Sequence, residues 1–258
     1  MAIRSMLKMF AFSTHTFDAP VEAEDLVDLM MGGLFAATRF GRAEPVRQPL
    51  KGEGRTEAIA LLRGSKDAQS GAVFLAGIKP EMTFTFDWRR GQSSVWYAEF
   101  DAKLVKGPTH CATLCAELSA LFTRFPAQFA AVAPSADWDA RHWLLEMFDD
   151  GGESKTKTGL NLNGHLPGIF WWTLFGRQAC EFFGRETLLA APVAQVNDLG
   201  AAGGVALRAD VCPQGLADGR LSAAEAAVRQ LLGSDYFFDI QHPHRKGLVI
   251  PGLTQAAA

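Results

Sequence analysis

The chain has 258 residues and lacks most of the features that identify a compartment or a chemistry at sight. Its four cysteines, Cys111, Cys115, Cys180 and Cys212, are too few and too scattered for the disulfide framework of a small secreted domain. No stretch reaches the roughly 18 to 20 uninterrupted apolar residues of a membrane helix. The segment Met1 to Phe17 is broken by Ser13, Thr14 and His15, so it reads as a strand and not as a secretory leader. A cytoplasmic protein is the expectation. The net charge of −3 supplies no concentrated positive field, which argues against nucleic acid or an anionic membrane as the main partner.

Catalytic signatures are also missing. There is no Gly-x-Ser-x-Gly elbow. Gly151 to Gly159 has the composition of a phosphate loop, but Gly-Lys-Ser/Thr does not close it. Gly200-Ala201-Ala202-Gly203-Gly204 lacks the spacing of a dinucleotide loop and precedes a strand. These absences count against the common enzyme classes, and no cofactor is expected.

What is present is a folded-protein balance of 48% apolar and 21% charged residues, enough for a large core. Residues 3 to 13 suit a first strand. Asp18 and Pro20 then open a helix with Glu22, Glu24 and Asp25 early and Arg39 in its last turn, a polarity that complements the helix dipole. Residues 41 to 54 read as a loop, and 56 to 62 as a short helix or strand. Segments 73 to 78, 82 to 88 and 95 to 104 form an antiparallel meander. Met82, Phe84, Phe86 and Trp88 point one way while Thr83, Thr85 and Asp87 point the other. A helix from about Thr109 to Phe125, with the stripe Cys111, Leu114, Cys115, Leu118, Leu121, Phe122 and Phe125, is the expected cover. An apolar stretch, 138 to 148, leads to a polar break at 149 to 159.

The second half has an aromatic strand near 169 to 175, a short helix at 177 to 183 and a hairpin of 193 to 196 with 205 to 211. A helix from Ala223 to Leu232 follows, with Ser222 and Glu225 at capping-box spacing and Gly233 past its end. Strands and helices without regular βαβ alternation indicate an α+β fold, antiparallel sheet regions covered by helices. One domain over 1–258 is expected, with a subdivision near 149–159 between two halves of similar element content.

Three groups of residues are candidate sites. Cys111 and Cys115 lie one helical turn apart on an apolar stripe, where free cysteine behaves as a small hydrophobe. Asp239, His242 and His244 form the densest collection of metal or acid-base groups, and a metal-dependent hydrolase is the alternative function they support. Asp137, Asp139, Glu146, Asp149, Asp150 and Glu153 cluster at the proposed boundary. The plain reading is a solvated helix end and loop; the functional reading is an anionic patch that meets a cationic partner. The basic stretch Arg39, Arg42, Arg47, Lys51 and Arg55 has no interleaved aromatics and reads as a solvated loop.

The most distinctive run is Leu166-Pro167-Gly168-Ile169-Phe170-Trp171-Trp172-Thr173-Leu174-Phe175-Gly176, followed by Glu181-Phe182-Phe183-Gly184-Arg185-Glu186. With the later Leu232-Gly233-Ser234-Asp235-Tyr236-Phe237-Phe238-Asp239, it resembles the signature of bacterial immunity proteins of polymorphic-toxin and type VI secretion systems, of the immunity protein 52 type. The match runs over residues 160 to 251, and Phe170 stands where the family has tyrosine. The resemblance implies a non-enzymatic inhibitor that binds a cognate protein toxin and occludes its active site. Toxins associated with the family include restriction-endonuclease-fold nucleases. A nuclease presents a positive cleft, for which Asp137, Asp139, Asp149, Asp150 and Glu153 are the expected toxin-binding acids. An adaptor in a secretion apparatus is the other non-enzymatic reading. Trp171, Trp172 and Phe175 are expected to anchor the core of the second half.

Overall fold

The computed structural model describes residues 6–17, 19–64, 68–147, 152–162, 164–213 and 220–253. The first strand, β1 (Met6–Ser13), is buried along most of its length instead of alternating. It sits inside the sheet, where both faces are covered. α1 (Pro20–Met31) begins at the predicted proline but stops at Gly32. Gly33 turns the chain at a φ of 55°, so Arg39 is not in a helical last turn; it opens β2 (Arg39–Gly41). Asp18 lies outside the described residues. The expected loop contains β3 (Gln48–Pro49), and α2 (Glu53–Arg63) settles the helix-or-strand ambiguity after it.

The meander is β4 (Ser70–Ile78), β5 (Glu81–Arg89) and β6 (Ser94–Asp101), antiparallel as read from the alternation. α3 (Pro108–Arg124) carries the predicted stripe from Cys111 to Phe122, all of it buried, while Phe125, also buried, is the residue that caps its end. Next come β7 (Phe129–Pro134), α4 (Ser135–His142), β8 (Trp143–Met147) and β9 (Glu153–Lys157). The apolar stretch is thus a helix that switches at Trp143 to a strand running to Met147, with Phe148 outside the described residues. The second half supplies β10 (Trp172–Phe175), α5 (Arg177–Phe183), α6 (Arg185–Leu189), β11 (Gln195–Asp198), α7 (Gly200–Gly203) and β12 (Val205–Arg208). α8 (Ala223–Leu232) has the predicted capping box at Ser222 and Glu225.

Ten strands form one antiparallel sheet in the order β11-β12-β10-β7-β1-β6-β5-β4-β2-β3, and β8 and β9 pair separately as a ribbon. The fold is α+β. The seam between the halves is β7 against β10, with Val132 opposite Trp172 and Phe129 opposite Phe175. Gly176 makes that seam possible, because a Cβ there would lie 2.1 Å from the Ala127 carbonyl oxygen.

The two faces of the sheet hold separate cores. On the first, α1, α2 and α3 pack on Met82, Phe84, Phe86, Trp96 and Phe100. Trp171 and Trp172 belong to this first-face core, with Trp172 stacked on Phe122 at 5.8 Å, and not to a core of their own half. The reason is the shared sheet: β10 alternates across it, sending Trp172 to the α3 side and Phe175 to the other. On the second face, Phe12, Phe129, Phe175, Trp138, Phe170, Val228 and Leu232 form a core roofed by α4, α5, α6 and α8. That roof covers β1, β7, β10 and β12. Over β4, β5 and β6 the same face keeps half-buried polar side chains, Thr83, Thr85, Asp87 and Glu99.

Candidate functional site

The boundary of the roof is α4, which is clamped to the sheet by polar contacts at its start and middle. The Ser135 hydroxyl donates to the Met6 carbonyl at 2.9 Å, and Trp138 Nε1 donates to the Lys8 carbonyl at 2.9 Å. Trp138 also stacks on Phe170 at 4.0 Å between ring centroids. Phe170 is fully buried. Its ring carries the Arg141 guanidinium 4.9 Å above it.

Arg141 is the hub of a buried ion triad. Its Nε lies 2.7 Å from Asp137 and its NH2 group 2.9 Å from Glu225, with both carboxylates and the guanidinium almost wholly enclosed. Glu225 also accepts from the Ser222 backbone N–H at 2.9 Å, so the capping box of α8 and the packing of α4 share one carboxylate. Asp137 is therefore an internal residue and cannot belong to a surface patch, in contrast to the sequence expectation. Its i,i+4 spacing from Arg141 was the available signal.

Beyond Arg141 the chain changes character. His142 Nδ1 donates to the Thr158 carbonyl at 2.8 Å, the only role open to a ring nitrogen facing a carbonyl. Burial, first, and the neighbouring Arg141 charge hold its pKa down at about 3. The neutral ring thus locks the base of the β8–β9 ribbon. On one face of that ribbon Trp143 and Leu145 stand 39% and 50% exposed, opposite Lys157 and Lys155. A two-stranded ribbon has no sheet of its own to hide such side chains in.

The ribbon borders the half of the sheet whose second face has no helix over it among the described residues. Asp139 accepts from Lys8 Nζ at 2.9 Å and from Trp143 Nε1 at 3.0 Å, which ties α4, β1 and β8 together. Lys157 Nζ lies 5.0 Å from the Phe10 ring centroid and 5.7 Å from that of Trp143. Burial and the Lys8 charge lower its pKa. Register then carries the surface outward: Lys8 is opposite Glu99, Glu99 opposite Thr83, and Thr83 opposite Ala76. One row over run Phe10, Tyr97, Thr85 and Phe74. The Tyr97 hydroxyl donates to Glu99, and burial together with that carboxylate pushes its pKa up, so the phenol stays protonated. At the far edge a depression of about 440 Å³ lies between Glu44, Ile78, Glu81 and Glu99. The whole forms a shelf of mixed charge with aromatic and aliphatic side chains within it.

Of the expected acids, Asp139 stands on this shelf, 45% exposed, and Glu153 is exposed at the start of β9. Asp149 and Asp150 lie outside the described residues, in the connection that joins β8 to β9. The predicted acidic cluster is thus divided between the core, the shelf and the ribbon. Trp143 and Leu145 escaped the sequence reading, although Trp143, Leu145 and Met147 alternate at strand period just before a Lys155, Lys157 pair at the same period.

The other candidates fall elsewhere. His242 Nδ1 is 2.9 Å from Asp239, and His244 is exposed. Burial works against the Asp239 charge, but His242, the Gln241 N–H and Arg229 outweigh it and hold its pKa low. Among the described residues no three His, Cys, Asp or Glu side chains converge in a way that could hold a metal ion. Cys111 and Cys115 are buried in the first core, as expected of apolar-stripe residues, and burial raises both thiol pKa values to about 12. Among the described residues no helix is long and apolar enough to cross a membrane.

No protein-family model matches the chain, and no curated protein matches it. Among solved structures it is similar to the Pseudomonas aeruginosa T6SS protein PA0821, with a TM-score of 0.58 and 12% sequence identity. The likeness covers 88% of this chain and 75% of that one. At that identity it shows a shared fold.

Proposed function

We propose that this chain is a non-enzymatic immunity protein of a type VI or related toxin system, acting in the cytoplasm by binding a cognate toxin and covering its active site. The observation that carries the reading is the ribbon: Trp143 and Leu145 exposed side by side on a two-stranded element beside an unroofed stretch of sheet. Adjacent exposed aromatic and aliphatic side chains of this kind are the usual centre of a protein interface. The sequence resemblance to immunity proteins and the fold shared with a protein named for type VI secretion both agree with it.

Charge favours a cationic partner. The sequence between β8 and β9 contains Asp149 and Asp150, and Glu153 follows, a run of acids that suits the positive cleft of a nuclease toxin. In this reading the acids enter the cleft and steer association, while Trp143 and Leu145 supply the desolvated contact.

Co-expression with the product of the adjacent gene tests this. The wild-type chain is expected to form a stable complex and protect cells. Trp143→Ala with Leu145→Ala should weaken the complex about a hundredfold. Reversing Asp149, Asp150 and Glu153 to lysine should slow association and reduce its salt dependence. Unchanged affinity in both variants would overturn the assignment, and a complex without protection would favour the adaptor reading.

A further inference from the structure

A second site lies on the other side of α4 and is independent of the ribbon. A cavity of about 430 Å³ opens between the Pro167-Gly168 turn, α8 and the segment 238 to 241. Arg229 of α8 lines it, partly buried. It donates a long hydrogen bond, 3.4 Å, to the Phe237 carbonyl, and the Phe237 ring lies 5.9 Å from the guanidinium.

The charges around it are already matched with one another. Arg141, also in the wall, is held by Asp137 and Glu225. Asp239 is paired with His242, and Arg245 with Asp235. Among the described residues Arg229 makes no direct ion pair; the Asp239 and Asp235 charges favour it only from a distance, and burial outweighs them and lowers its pKa, so the fold has partly stripped this cation of water without a carboxylate in contact. A desolvated guanidinium with no direct ion pair is costly to keep. A bound anion would offset that cost.

We infer that the cavity binds a carboxylate, seated on the Arg229 guanidinium. A planar carboxylate matches the guanidinium fork. Asp239 across the same cavity disfavours a doubly charged phosphate, and Phe238, Ile240 and Pro167 suit an apolar body attached to the acid. The carboxylate comes either from a small organic acid or from an acidic side chain of a bound polypeptide.

Thermal-shift and calorimetric titrations of the full chain with sodium acetate, an acetylated and amidated glutamate tripeptide, and sodium phosphate at matched ionic strength test this. Both carboxylates should raise the melting temperature, phosphate less so. Arg229→Gln should abolish the response, and Asp239→Asn should tighten carboxylate binding about tenfold by removing a facing charge. A peptide that binds at least tenfold more tightly than acetate identifies a polypeptide source, and equal binding identifies a small acid. No carboxylate response in the wild type, the same response in Arg229→Gln, a stronger response to phosphate, or no gain in Asp239→Asn would overturn the proposal. The gain-of-binding arm cannot be produced by a variant that merely folds poorly.

Discussion

On the second face of the sheet, Phe12, Phe129 and Phe175 lie in one row across β1, β7 and β10, and α5, α6 and α8 close over them. A few strands away, Tyr97, Thr85 and Phe74 occupy an equivalent row across β6, β5 and β4, with no helix among the described residues above it. The first face is apolar and covered on both sides of this divide. Outward-facing side chains therefore set where a roof forms: three phenylalanines supply enough apolar area to hold helices, whereas threonines and a Tyr97–Glu99 pair do not. The edge of the roof, at α4 and the ribbon, is where buried chemistry gives way to exposed contact groups.

The contrast can be broken from the closed side. Arg141→Ala leaves Asp137 and Glu225 buried without their shared cation, and a loss of about 3–5 kcal/mol in urea unfolding is expected. A smaller effect comes from pH. Unfolded, His142 takes up a proton near its ordinary value of 6.5; folded, it refuses one down to about pH 3. Its contribution is complete above pH 6.5 and is lost as pH falls through that window, by at most about 1.4 kcal/mol per unit. Burial shifts His165 in the same direction. His142→Asn should flatten the pH dependence of the melting temperature between pH 6.5 and 4, and an unchanged slope would refute the assignment. The smallest effect belongs to the open side: Thr85→Ala should stay within about 0.5 kcal/mol of wild type in the same unfolding assay.

Legibility in the sequence followed the same divide. β5 and β6 were readable because one of their faces is wet, so Phe84, Thr85 and Phe86 alternate visibly. β7 was missed because Phe129, Ala130, Ala131, Val132 and Ala133 are all buried and carry no period. α3 and α8 declared themselves through a stripe and a capping box. α1 ended early because a glycine pair, not the distant Arg39, set its stop. At the candidate site, Asp139 and Glu153 were recognisable as acids, but Asp137 could not be told from them without knowing that Glu225 approaches Arg141 from 84 residues away. The shelf depends on which strands the roof leaves bare, a consequence of β7 pairing with both β1 and β10. No local pattern encodes that.

The central claim is that the ribbon and the unroofed strands form the partner surface. Amide hydrogen exchange of the chain, alone and in complex with the product of the adjacent gene, tests it most directly. The account predicts added protection in 143–147 and 153–157 and across β4 to β6, with α1, α2 and α3 unchanged. Protection confined to the three helices of the first face, or none in the ribbon, would contradict it.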